Sequence, residues 1–385
     1  MKKKKLRLAL ILIIVTVIAA ALIIFAIKKS EKSGEVNEAV QVGMIETDNA
    51  YYVVSQSDSY IKVMDKESGA TAPLCNRANC SHDSNDCMAY VDNTAIAEAT
   101  LTFDGENLYY VDNEADNKSK LVVMKMKPDG SSKDVFTELY EYAYGEEISI
   151  RNVKLMAVCE KLLFAYDEID ATTGLSKKSI VEKIDIKEPK NKKNIIENTG
   201  HHAENEIVTT EAGKLYYVAK RYTENLDAVY GDICCYDLEK DKNECIAENI
   251  KNISGAAVYK GNIYYHVVFD DIYRWNEKEN KEEKFIALSE YEKIGTIFSD
   301  GEYLYYDNSS NAAYYDEADD SEFGLGVYDS TGNRIDRIHT MNRDELLLNV
   351  YEKEKKIIYK IKNIEKDENR YLIIKDGKTS EINMG

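Results

Sequence analysis

The sequence predicts an all-β chain: a seven-bladed β-propeller, four antiparallel strands per blade, preceded by one N-terminal transmembrane helix. Three observations lead there. An apolar-aromatic strand motif occurs seven times, a turn residue ends a later strand in most copies, and one long apolar run stands between lysines at the N-terminus.

The repeated strand reads Ala50-Tyr51-Tyr52-Val53, Leu108-Tyr109-Tyr110-Val111, Leu162-Leu163-Phe164-Ala165 and Leu215-Tyr216-Tyr217-Val218. It continues as Ile263-Tyr264-Tyr265-His266, Leu304-Tyr305-Tyr306-Asp307 and Ile357-Ile358-Tyr359-Lys360. Successive copies lie 58, 54, 53, 48, 41 and 53 residues apart. A tight turn precedes most of them, as at Asp104-Gly105, Ala212-Gly213 and Lys260-Gly261, where glycine supplies positive φ. A later strand runs into Asp or Asn (Met64-Asp65, Tyr236-Asp237, Trp275-Asn276), residues whose side chains start turns. Short polar turns and a fourth strand follow. Four short strands in about 50 residues make a propeller blade. Seven blades fill residues 43–385, and residues 104–130 form the least decorated copy. Blade one has its own opening strand and blade seven its own last one, so the ring closes without a swapped strand, unless residues 38–42 supply one.

Adjacent tyrosines such as Tyr109 and Tyr110 point to opposite sides of their sheet. Both sides of a blade face neighbours, so these rings are expected between blades rather than on a sugar-stacking surface.

Lys2, Lys3, Lys4, Lys5 and Arg7 precede twenty apolar or small residues, 8–27, closed by Lys28 and Lys29. At about 1.5 Å per residue that run spans a hydrocarbon core of roughly 30 Å. The denser positive charge before it keeps residues 1–7 cytoplasmic and exports the rest. An uncleaved signal anchor is therefore expected, then a linker over 28–42 and an extracellular propeller at the cell membrane. Removing seven basic and no acidic residues from a chain of net charge −19 leaves −26 on the exported part. That surface argues against nucleic acid, which needs clustered Lys and Arg, and is compatible with basic proteins or neutral glycans.

The pattern DG-x-x-LYY-(loop)-L-x-x-M-(x)-PDG, carried by residues 104–130, resembles the repeats of TolB-like and YWTD-type propellers. It looks most like the membrane-anchored propellers of clostridial bacteria described as low-density-lipoprotein-receptor-related. The resemblance covers residues 43–385 and implies a fold and a surface location; propellers share no common activity.

With strands labelled A to D, the short A–B and C–D turns share one face. The long B–C connections (residues 113–120, 167–178, 220–231, 307–323) and D–A connections (75–90, 138–149, 197–206) share the other. Long loops on a rigid scaffold carry binding. His201, His202, His266 and His339 fall on that side, as does the acidic run containing Asp316, Asp319 and Asp320. The acidic run lacks the spacing of a calcium loop, so a solvated charge run is its plainer reading.

Cys75, Cys80, His82 and Cys87, spaced C-x4-C-x-H-x4-C, have the ligand set of a closed structural Zn²⁺ site. The rival is a disulfide, which leaves one of three local cysteines to find Cys159 or stay free. Farther on, Cys234, Cys235 and Cys245 read first as buried free thiols, with Cys235 facing Cys245 across a hairpin as the alternative. The chain shows no G-x-S-x-G, H-E-x-x-H or phosphate-cradling glycine loop. The expected function is a binding module for a protein or glycan. The alternatives are a cell-envelope glycan-active enzyme with a central-channel site, and a structural or sensory part of an envelope complex.

Overall fold

The computed structural model describes residues 43–382, apart from 116, 118, 142–147, 277–278, 310, 312–318, 320–321, 342–344, 354–355 and 364–367. The expected tail, anchor and linker (1–42) lie outside the described residues. Among the described residues no helix is long and apolar enough to cross a membrane.

Seven four-stranded sheets follow one another, each with its strands paired in chain order. The A strands are Met44–Glu46, Thr102–Phe103, Ile148–Val158, Glu204–Glu211, Ile253–Tyr259, Thr296–Ser299 and Glu345–Lys353. Neighbouring A strands touch, as in blades one and two, two and three, four and five, and five and six, so they ring a central channel. Tight A–B turns take the expected left-handed backbone, with φ of 50° and 73° at Ala212-Gly213 and 48° and 71° at Lys260-Gly261.

Blades one and seven each keep four strands of their own, so no strand crosses between them among the described residues. Side chains close the ring instead. The buried Glu46 carboxylate of blade one accepts Lys356 Nζ of blade seven at 2.6 Å and Lys66 Nζ at 2.6 Å. Met44 and Val53 join an apolar cluster with Ile358, Tyr371 and Ile373 of blade seven.

The tyrosine pairs sit where the repeat places them. Tyr110 packs with blade-one residues such as Tyr52 and Ile61, whereas Tyr109 packs with Leu155 and Phe164 of blade three. Tyr265 and Tyr264 divide in the same way between blades four and six, and Tyr306 and Tyr305 between five and seven. All six rings are fully buried. The turn before the strand also serves the ring. Asp104 accepts the amides of Glu106 and Asn107 on one oxygen and Tyr109 OH on the other, at 2.9 Å. Asp300 repeats this with Glu302, Tyr303 and, at 2.6 Å, Tyr305 OH.

A short α-helix departs from the repeat. Helix α1, Thr94–Thr100, lies between blades one and two and touches the B strands of both and the A strand of blade three. Asn93 caps it, accepting from Ile96 N. Asp112 takes the amides of Asp92 and Asn93, and Thr100 Oγ1 accepts from Val111 N at 2.9 Å. Its buried Glu98 binds Gln56 of blade one and Lys360 of blade seven. A polar side chain thus ties blades one and seven to one short helix.

Tyr110 makes the packing testable, because its hydroxyl is buried without a partner while its ring fills the blade-one interface. Tyr110→Ala should lower unfolding free energy by about 3–5 kcal/mol. Tyr110→Phe should leave it unchanged or raised, since it removes only an unpaired polar atom. Urea midpoints for the two variants check this; equal losses would contradict it.

Candidate functional site

Two features stand outside the repeat: the cysteine-rich insert and the cavity beside helix α1.

The insert interrupts the outer strand of blade one. Strand D, Thr71–Pro73, pairs with residues 62–64, and Leu74 N then reaches Ile61 O. After the excursion the chain resumes the same pairing: Ile61 N donates to Ala89 O, and Val91 N to Ser59 O. Loop 75–88 therefore leaves and returns at Ile61. The insert is thus an excursion from the outer strand of blade one near its D–A end, not a simple connection between strands D and A. The neck lies at the rim, against the C–D turn of blade two, where Asn76 N donates to Gly130 O. A Cβ on Gly130 would come within 2.9 Å of Leu74 and Cys75 backbone atoms, so only glycine admits that approach.

Within the insert, one ligand atom each from Cys75, Cys80, His82 and Cys87 lies within 4.8 Å of all the others. These residues can hold a metal ion. His82 Nδ1 is 3.3 Å from Cys87 Sγ, set there by a left-handed backbone at His82. Burial pushes the Cys87 thiol up to about 11. Burial also opposes ionisation of Cys75, but amide hydrogen bonds from Arg77 and Met88 help bring that thiol below its usual range. Cys159 is not part of the group; it occupies the A–B turn of blade three, on the opposite face from the D–A connections.

The cavity, of about 700 Å³, occupies the channel mouth where the D–A connections enter. Ala95, Ile96 and Ala99 of α1 form one wall, and the first halves of the A strands of blades three, four and six form most of the rest. Its apolar lining includes Ile207 and Phe298, and three carboxylates, Asp167, Glu204 and Glu206, also line it. Burial holds the Asp167 carboxyl above its usual range, although Asn152 Nδ2 donates to it at 2.6 Å. Burial raises Glu204 as well, with His202 Nε2 3.4 Å away. Glu206 is ion-paired with Lys220, whose ammonium also donates to Ser254 O at 2.6 Å. No pattern along the chain marks this site, because its residues come from four blades and a helix outside the repeat. The aromatic spacing marks B strands, whereas the cavity is lined largely by A strands.

The expected binding-face residues scatter. His201 is exposed, and His202 packs on Tyr222 with ring centroids 4.8 Å apart, close to the cavity's Glu204. His339 and Asp319 are exposed, whereas Asp316 and Asp320 lie outside the described residues. His266 does not belong to the surface: it is fully buried between blades five and six. Tyr306 OH donates to Glu292 O at 2.6 Å and so receives His266 Nε2–H at 3.1 Å, leaving Nδ1 to accept from Ser254 Oγ at 2.6 Å. A strand-end histidine that points across the blade is packed by its neighbour, just as the tyrosines are.

A disulfide joins Cys234 to Cys245, not Cys235 to Cys245. The register explains the shift: Cys234 stands opposite Cys245, and Cys235 opposite Glu244.

No family model and no curated protein matches the sequence. Solved structures do. The chain is similar to the β-propeller domain of the Trilobed protease from Pyrococcus furiosus, of reported open velcro topology, at 11% identity, covering 90% of this chain and 96% of that one, TM-score 0.50. TolB from Acinetobacter baumannii matches at 12% identity over 88% and 77% of the two chains, TM-score 0.41. Against Porphyromonas gingivalis dipeptidyl peptidase 4 the identity is 10% and the TM-score 0.47, over 93% of this chain but only 55% of that one. At such identities the likeness concerns the propeller fold alone.

Burial pushes the His266 imidazole down to about 4 from 6.5. Between those values the unfolded chain binds more protons than the native one, so stability should fall as pH drops through that window. Urea titrations across it should show a flatter dependence for His266→Gln than for the parent. Identical slopes would mean that His266 ionises freely in the fold.

Proposed function

We propose that this chain is a membrane-tethered propeller displayed outside the cell, which binds a protein or glycan at the loop-bearing mouth of its channel. The cavity carries this reading. It combines apolar walls with a few convergent polar groups, the usual make-up of a ligand site, and it opens where the long connections gather. Display outside the cell is supported by the apolar run at 8–27 behind a basic cluster, and by the Cys234–Cys245 disulfide, which suits an oxidising compartment. In this reading one structural Zn²⁺ belongs to Cys75, Cys80, His82 and Cys87. Four protein ligands leave no open position for catalysis there.

A second reading draws on Asp167 and Glu204. Carboxyl groups held above their usual range by burial serve as general acids in glycan cleavage, so a channel-sited glycan-active enzyme is the competing function.

Residues 38–385, which form one compact unit, can be immobilised and offered envelope proteins, cell-wall glycans and host polysaccharides. Ala95→Trp projects an indole into the cavity from an exposed position on α1 and should weaken capture about tenfold or more. Capture indifferent to this change would remove the cavity as the site. New reducing ends or unsaturated products, abolished by Asp167→Asn, would decide for the enzyme instead.

A further inference from the structure

The loop that holds the four metal-ligating residues is continuous with the strap that delivers helix α1 to the channel. Leu74 and Ala89, at the two sides of the neck, both bond Ile61, and Cys75 and Cys87 stand just inside it. From Ala89 the chain runs through Tyr90, which bridges Tyr60 and whose carbonyl accepts Lys133 Nζ, to Val91 bonded to Ser59. Asp92 and Asn93 are then gripped by Asp112, and the helix begins. Loop 75–88 is mostly exposed, and few of its residues reach the apolar cluster below. Without a crosslink its neck rests on backbone bonds such as those to Ile61 and Gly130.

The chemistry of the group favours a metal over a disulfide. Zn–S bonds of about 2.3 Å place tetrahedral thiolates about 3.8 Å apart, a spacing the group reaches by a small inward contraction from its 4.8 Å limit. A disulfide would use two sulfurs and leave the third cysteine and His82 converging on nothing. The amides of Arg77 and Met88 donate to Cys75 Sγ, and that of Ala89 to Cys87 Sγ, the second layer that orients thiolate ligands. Three thiolates, one neutral imidazole and Zn²⁺ carry one net negative charge. Lys133, which feels both Cys87 and Arg77, and Arg77 itself supply cations beside it. Soft sulfur and imidazole donors in a four-coordinate set select Zn²⁺ over the hard cations.

We infer that Zn²⁺ bound by Cys75, Cys80, His82 and Cys87 locks the neck at Ile61 and thereby holds the 89–93 strap and helix α1 in place, so that metal occupancy controls the wall of the channel cavity. This rests on the zinc reading of the four residues. The metal acts on the cavity through the backbone, because the resumed strand D and the helix cap are consecutive in the chain.

The full-length chain, purified under reducing conditions, should contain about one equivalent of zinc, and Cys80→Ser should lose it. Amide hydrogen exchange, followed by mass spectrometry before and after chelation, then reads the linkage. Exchange across 89–100 should accelerate about tenfold or more without metal and recover on adding Zn²⁺, while blades four to six stay unchanged. Less than about a tenth of an equivalent of zinc, with a disulfide among Cys75, Cys80 and Cys87 on peptide mapping, would overturn the zinc reading itself. Bound zinc whose removal changes only residues 75–88, or loosens all seven blades alike, would overturn the linkage and leave the metal site standing.

Discussion

Every blade of this propeller has to bury two adjacent aromatic or apolar side chains that leave the backbone in opposite directions. A single sheet can cover only one of them against a core. A ring of sheets covers both, since each blade is wall and filling at once. The rest of the architecture accommodates this constraint. The A–B turn places a carboxylate beneath the ring so that the buried tyrosine hydroxyl finds a partner, as Asp104 does for Tyr109 and Asp300 for Tyr305. The ring must also close. Among the described residues closure comes from apolar packing and the ion pairs on Glu46, without strand exchange, which makes the junction of blades seven and one a side-chain interface like the other six.

The junction of blades one and two carries what the others lack. Strand D of blade one is broken by the cysteine insert and then resumed, and its continuation caps a helix placed at the channel mouth. Glu98 on that helix engages Gln56 and Lys360, so one short segment spans blades one and seven while its small residues, Ala95 and Ala99, face the cavity. The two decorations are thus one continuous segment. The rim insert and the channel wall are joined by five residues of backbone, and that adjacency ties the chemistry of the cysteines to the shape of the site.

Much of the fold was legible because the constraint is local. Tyrosine pairs at a regular spacing, glycine where φ must be positive and Asp where a turn needs a side-chain acceptor are each read within a few residues. The same locality explains the errors. His266 looks like a loop-end ligand because it closes the aromatic strand motif, but a strand-end position that points across the blade is packed by the next one. Cys235 and Cys234 cannot be told apart without the register, and the unbroken pairing outward from Asp237 and Lys242 sets Cys234 opposite Cys245. The spacing of Cys75, Cys80, His82 and Cys87 revealed a ligand set but not its location. Which side of blade one it occupies depends on Ile61 bonding both sides of the neck.

By itself, then, the sequence determined the blade count, the strand order within each blade and the membership of the cysteine-histidine group, because these depend on periodicity and on near neighbours along the chain. The tertiary structure alone decided that Asp167, Glu204 and Glu206 meet around one cavity, that a seven-residue helix walls it, and that the cysteine insert sits at the rim. Those outcomes follow from the ring. It brings together the starts of strands some fifty residues apart, and no pattern along the chain records which of them will share a wall.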